Sequence, residues 1–256
     1  MPILANVFFF LLGAIIASFV GVVVSRYGTG QSILPGRSRC DACGRTLDAL
    51  ALVPFVSYVV LRGRAACCGA RISPSSTVAE ALLGALFALA YAAIGPTLAL
   101  LCMLIALASL LAIVEYDLMH QIIPPPFLAV FLPASFAVGA LEAPSLALLG
   151  ISAAIAFAFA FFFALLHFLS AGRLMGLADI PLVFGLALLT GPAALAGFVF
   201  SFWIGAVICI VILLRRPRGS RMGTEVPLAP FLAAGFLLAY FTAWNPFALT
   251  LLIPYA

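Results

Sequence analysis

The sequence predicts an all-α fold: a polytopic membrane helical bundle of about eight transmembrane helices, with a small Cys-containing loop domain. Three observations carry that expectation. The 256 residues are 66% hydrophobic and only 8% charged, outside the range of soluble globular domains. The apolar residues fall into runs close to the ~20 residues that a helix needs to cross a bilayer. All 12 basic residues are Arg, clustered in a few connections between those runs, which is the positive-inside pattern. A net charge of +4 distributed this way orients helices in a membrane and points to no nucleic-acid partner.

In chain order the expected helices cover residues 6 to 25, 76 to 94, 97 to 116, 126 to 141, 146 to 169, 179 to 190, 194 to 214 and 228 to 251. The first, apolar from Val7 to Val24, has no basic segment ahead of it and is followed by more spans. It therefore reads as a retained helix rather than a cleaved signal peptide. The sixth is short. Three units follow: residues 1–25 as a first transmembrane helix, 26–75 as a cytoplasmic loop, and 76–256 as a transmembrane core.

The Arg residues set the sidedness. Residues 26 to 75 carry Arg26, Arg37, Arg39, Arg45, Arg62, Arg64 and Arg71, the connection at 170 to 178 carries Arg173, and 215 to 226 carries Arg215, Arg216, Arg218 and Arg221. The connections at Gly95-Pro96, at Glu142-Ala143-Pro144 and at Thr190-Gly191-Pro192 carry none. With eight spans every Arg lies on one side, so that side is the cytoplasm and both termini lie outside. The third helix then runs inward and ends at Asp117, while the sixth begins at Asp179 and runs outward. Both carboxylates are expected at one depth, near the cytoplasmic face.

Acidic residues at membrane boundaries are functional-site candidates by default. Two carboxylates that face one site cannot both ionise cheaply, so the pair shares a proton. The ionised member can activate a water, while the protonated member polarises a carbonyl and helps the amine leave. That is aspartyl peptide hydrolysis, with Asp117 and Asp179 as the candidate catalytic pair. A lone acidic residue at a helix end is also what a cap looks like, and Asp179 before Ile180-Pro181 fits an N-cap with Pro in the first turn. Glu115 falls on another helix face from Asp117, which disfavours a pair between those two.

The loop at 26–75 holds Cys40-x-x-Cys43 and the adjacent Cys67-Cys68, each pair followed by Gly. In a reducing compartment such a set reads as a tetrahedral zinc site that holds a loop with little core of its own. Free thiols are the alternative, because neighbouring Cys reach one metal less easily. Cys102 and Cys209 lie in spans and read as packing residues. Glu80 faces either the bundle or a helix start, His120 either hydrogen-bonds Asp117 or is an interfacial His with no role, His167 reads as structural, and the Phe-rich fifth helix as lipid-facing or packing surface.

Several stretches, in order, resemble the type IV prepilin peptidases, which are leader peptidases and N-methyltransferases of pilus and type II secretion systems. "SFVGVVVSR" from Ser18 resembles the family's opening helix, and "CDACG", "LRGRAACCGARISP" and "VAEALLG" its zinc-ribbon loop and following helix. "YDLMHQIIP" resembles the first catalytic motif, which makes Asp117 its Asp. "GLAD" at Gly176 to Asp179 stands where the family has GxGD, which makes Asp179 the second, and "VPLAPFLAAG" resembles a final Pro-rich motif. Ala178 replaces a Gly of that pattern, Ala65 stands at the usual third Cys position, and Gly21, Met119, Pro125 and Ala229 also depart from it. Cys40, Cys43 and Cys68 remain as matched zinc ligands, with Cys67 as a displaced fourth.

The resemblance implies a multi-pass enzyme of the bacterial cytoplasmic membrane that cleaves the leader of prepilins or pseudopilins on the cytoplasmic side. It also implies methylation of the new N-terminus from S-adenosylmethionine. Proteolysis itself requires no cofactor. Two rivals come from other classes: a proton-coupled transporter, which would set its carboxylates near the midplane, and an inactive assembly partner of a pilus or secretion system.

Overall fold

The computed structural model describes residues 2–30, 32, 42–46, 60–61, 63–71, 74–173, 175–215 and 226–244. Within them lie α1 (Pro2–Arg26), α2 (Ser75–Ile94), α3 (Leu98–His120), α4 (Pro125–Glu142), α5 (Leu146–Leu169), α6 (Asp179–Thr190), α7 (Ala194–Arg215) and α8 (Ala229–Thr242). A short 3-10 turn, Gly191–Ala193, joins α6 to α7. The described residues contain no strand. By length and apolar composition six helical stretches can cross a membrane, with Asp179–Arg215 taken as one stretch, and α8 is a shorter apolar helix.

The helix limits follow from local chemistry. Thr97 caps α3 by accepting the Leu100 N–H at 3.3 Å, and Ser145 caps α5 through the Leu148 N–H at 3.3 Å, each satisfying an orphan donor of the first turn. Gly95, at φ 73°, ends α2 in a conformation that favours Gly. After α3, Gln121 turns left-handed, and the Pro124-Pro125-Pro126 run cannot prolong a helix but can start one, so α4 opens there.

Two limits differ from the sequence expectation. Helix α3 continues past residue 116 to His120, which puts Asp117 inside the last turn, where its carbonyl accepts the Gln121 N–H at 2.8 Å. Helix α8 stops at Thr242 rather than running to 251: Ala243 is left-handed, and Trp244 stacks on Phe200 of α7 with ring centres 5.1 Å apart. Residues 245–251 lie outside the described ones.

Small residues set the helix pairs, as is usual in a membrane, where close backbone approach replaces the hydrophobic drive. Gly13 of α1 and Gly84 of α2 meet so closely that a side-chain carbon on Gly13 would lie 2.7 Å from the Leu83 carbonyl. Gly235 of α8 lies directly against the Ser201 backbone of α7, and Gly197 meets Phe236. The matches Gly197 to Phe236, Ser201 to Leu232 and Gly205 to Phe231 run in opposite senses along the two chains, so α7 and α8 are antiparallel. Helix α7 therefore runs toward the end at which α8 starts and continues past it to Arg215, and α6 starts toward that same end, so the chain reverses at Gly191–Ala193. Phe87, Phe131, Phe163 and Phe236 fill the interior, while Phe157, Phe161 and Phe168 of α5 face outward. The outward apolar faces suit a lipid surround.

Candidate functional site

Three helix ends converge at one end of the bundle: the last turn of α3 and the first turns of α6 and α8. Asp117 is 6% exposed there, and its Oδ2 accepts the Ala229 N–H at 3.0 Å. That donor exists because Ala229 is the first residue of α8, whose opening amides have no partner within the helix. Asp179 opens α6, and its Oδ2 accepts the Gly176 N–H at 3.0 Å. The return bond, Asp179 N–H to the Gly176 carbonyl at 3.3 Å, closes the turn. Asp117 is the charged side chain whose field reaches Asp179. The two residues expected to share a depth thus lie at one end of the bundle, within electrostatic reach of each other.

Around the pair, Ala178 takes φ −75° and ψ −14°, an ordinary right-handed conformation, so the turn before Asp179 needs no Gly at that place. At Gly176 a side-chain carbon would lie 3.2 Å from Asp179 Oδ2, a tight contact that the carboxylate would have to shift to accept. Of the two readings open for His120, the interfacial one fits: its ring lies against Tyr116, with centres 4.4 Å apart. Tyr116 also meets Tyr27 and Phe127, which ties the end of α1 to the α3–α4 turn. His167 Nδ1 bonds the Met175 carbonyl at 2.8 Å and braces the loop that leads to Asp179, the structural role expected of it.

A second carboxylate pair was not apparent from the sequence. Glu115 of α3 lies within the electrostatic reach of Glu80 of α2, which is itself buried at 8% exposure. Glu115 Oε2 is buried and makes no hydrogen bond, and position 21, a Gly in α1, faces it. The donors of the Asp pair were missed as well, because a backbone N–H has no side-chain signature. Pro230, one residue into α8, is the available hint that an unpaired amide precedes it.

The Sγ atoms of Cys43, Cys67 and Cys68 lie within 4.8 Å of one another, with Cys43 to Cys67 at 3.3 Å. Thiolates that each sit ~2.3 Å from a common metal are spaced in this range, so the donor set fits three corners of a tetrahedral site. The adjacency of Cys67 and Cys68 is accommodated by a tight turn, closed by the Gly69 N–H on the Ala65 carbonyl at 2.8 Å with Gly69 at φ +69°. Cys40, the fourth expected ligand, lies outside the described residues.

These features define a class: helical, multi-pass membrane proteins whose carboxylates gather at one end of the bundle. Residues 11–94 match the family described as the Bacterial Peptidase A24 N-terminal domain. The chain is 32% identical over 235 residues to the prepilin leader peptidase/N-methyltransferase of Bacillus subtilis (strain 168), which covers 90% of this chain and 92% of that one. It is 34% identical to the protein of the same name from Myxococcus xanthus (strain DK1622), over 84% of this chain and 65% of the relative. The Burkholderia pseudomallei (strain K96243) relative, also of that name, is 31% identical over 95% of this chain and 87% of its own. No solved structure matches the chain. The chain belongs to the prepilin leader peptidase/N-methyltransferase family.

Proposed function

We propose that this chain is a membrane aspartyl endopeptidase that removes the leader of prepilins or type II secretion pseudopilins and then methylates the new N-terminus. The observation that carries the reading is that Asp117 and Asp179 lie within electrostatic reach of each other, each with one oxygen held by a backbone N–H. Those donors orient both carboxylates and leave the other oxygen of each free for chemistry. One carboxylate, ionised, takes a proton from a water whose oxygen attacks the scissile carbonyl. The other, protonated, hydrogen-bonds the carbonyl oxygen, and as the tetrahedral adduct collapses the C–N bond breaks and the amine nitrogen receives a proton. The N–H groups and the start of α8 stabilise negative charge on the two carboxylates.

The location suits such a substrate. An apolar helix can stay in the bilayer while its polar leader emerges at the interface, level with the two Asp residues. The Arg distribution makes that face the cytoplasmic side of the cytoplasmic membrane. S-adenosylmethionine enters as a co-substrate of methyl transfer. The loop at 26–75 is the zinc-binding unit, with Cys43, Cys67 and Cys68 as ligands and Cys40 the fourth, and zinc there shapes the loop and takes no part in proteolysis. Residues 76–256 form the peptidase core.

Incubating the purified full chain with a prepilin and labelled S-adenosylmethionine, then weighing the products, tests this reading. The expected products are the free leader and a mature chain heavier by one methyl group. A precursor that stays intact under conditions where a known relative cleaves it would overturn it.

A further inference from the structure

At the end of the bundle away from the Asp pair, α2, α3 and α4 frame a groove of about 550 Å³ whose lining includes Ala93, Ile94, Thr97, Leu98, Leu141 and Glu142. Leu98 lies about 28 Å along α3 from Asp117, at ~1.5 Å per residue, so the groove is separate from the candidate active site. Helices α2 and α4 both end in it, at Ile94 and Glu142, and the last carbonyls of a helix have no partner within that helix. Pro96 and Pro144 follow and have no N–H to give. The Thr97 N–H goes to the Gly95 carbonyl at 2.9 Å and the Ala143 N–H to the Gly139 carbonyl at 3.1 Å, which leaves acceptors open at both helix ends.

Glu142 adds a carboxylate at a helix C-terminus, where negative charge is disfavoured. Its two oxygens share one donor, the Tyr240 hydroxyl, at 3.0 and 2.9 Å. The adjoining connections, Gly95-Pro96-Thr97 and Ala143-Pro144-Ser145, carry no basic residue, and Glu142 is the one charged side chain of the lining. Two negative helix ends and a carboxylate therefore call for a cation from outside the fold. Beside them the first amides of α3, at Leu98 and Ala99, suit the anionic part of a zwitterion.

The surroundings narrow the occupant. Leu98, Leu101 and Ile105 are 64%, 55% and 43% exposed and, spaced by three and four, form an apolar stripe down α3 from the groove into the membrane. A lipid headgroup in the groove can lay its acyl chain on that stripe, which a soluble amine cannot use. The geometry points to a binding site for a phospholipid whose headgroup ends in a primary ammonium, of the phosphatidylethanolamine type. Such an ammonium brings three N–H donors to the carbonyls and the carboxylate, whereas a choline headgroup brings none and a glycerol headgroup brings no cation. The inference is independent of the peptidase reading.

The test reads bound lipid rather than cleavage. The purified full chain is reconstituted in vesicles of equal parts phosphatidylethanolamine, phosphatidylcholine and phosphatidylglycerol, released in mild detergent, and its retained lipid is identified by native mass spectrometry. Phosphatidylethanolamine should be retained over either other lipid by about tenfold, the scale of a hydrogen bond to a charged group. Glu142→Gln, whose amide carbonyl still accepts from Tyr240, should abolish that preference. Ala93→Leu, which fills the groove from an exposed position on another helix, should do the same. Tyr240→Phe leaves the carboxylate in place and should keep it. Equal retention of the three lipids by the wild-type chain, or a preference that survives Glu142→Gln or Ala93→Leu, would overturn the site. So would an equal loss in Tyr240→Phe, which would make Glu142 a strut of the fold rather than a ligand.

Discussion

The Asp117–Asp179 and Glu80–Glu115 pairs lie at the same end of one bundle and are built in opposite ways. The Asp residues stand at helix ends, where each carboxylate meets a backbone N–H, from the first residue of α8 for Asp117 and from the loop before α6 for Asp179. The Glu residues stand on helix flanks, where every backbone amide is already used, and Glu115 Oε2 has no donor at all. A buried carboxylate without a donor bears the full cost of desolvation when charged. Negative charge can thus be sustained, and moved, at the helix ends, whereas on the flanks each Glu raises the cost of charging the other. Two acidic residues become chemically useful through the amides around them more than through their mutual distance.

Substitution should separate the pairs clearly. Asp117→Asn or Asp179→Asn, each correctly inserted in the membrane, should lower cleavage by about 10²–10⁴-fold, the usual scale of a lost acid–base group. Cys43→Ser should strip stoichiometric zinc from the purified chain, read by metal analysis, while cleavage falls much less than for either Asp change. Retained zinc would show that the thiols are not its ligands. Gly235→Ala should lower stability by about 1–3 kcal/mol, because the new carbon overlaps the Ser201 backbone and pushes α8 off α7; thermal unfolding in detergent measures it. The smallest effect is expected for Glu115→Gln, which keeps the shape and removes the charge. Cleavage should stay within about fivefold of wild type, in line with a neutral hydrogen-bond change of ~1 kcal/mol. A loss as large as that of the Asp variants would erase the distinction between the pairs.

Much of this was legible in the chain. The limits of α5 and α6 matched to the residue, because Ser145, Gly191 and the neighbouring prolines mark breaks that chemistry enforces. The shared end of Asp117 and Asp179 followed from counting spans and placing Arg. The extra turn to His120 was hidden because an acidic residue in an apolar run looks like a boundary, although Leu118 and Met119 are good helix formers. The early stop of α8 depends on Trp244 finding Phe200, a contact between helices that no local pattern records. The Glu80–Glu115 pair depends on how α2 and α3 are rotated, and helices that are apolar all round do not specify which face is inward. The candidate metal ligands could be chosen by type, but the reach of two adjacent thiols to one point required the turn at Gly69.

The most direct test of the central claim compares Asp117→Asn, Asp179→Asn and the double substitution in one reconstituted cleavage assay with a leader-bearing prepilin. Groups that act as a unit lose nothing further when the second is removed, so the account predicts two crippled single variants and a double variant no slower than either. Independent, multiplying losses, or a folded single variant that cleaves at the wild-type rate, would contradict it.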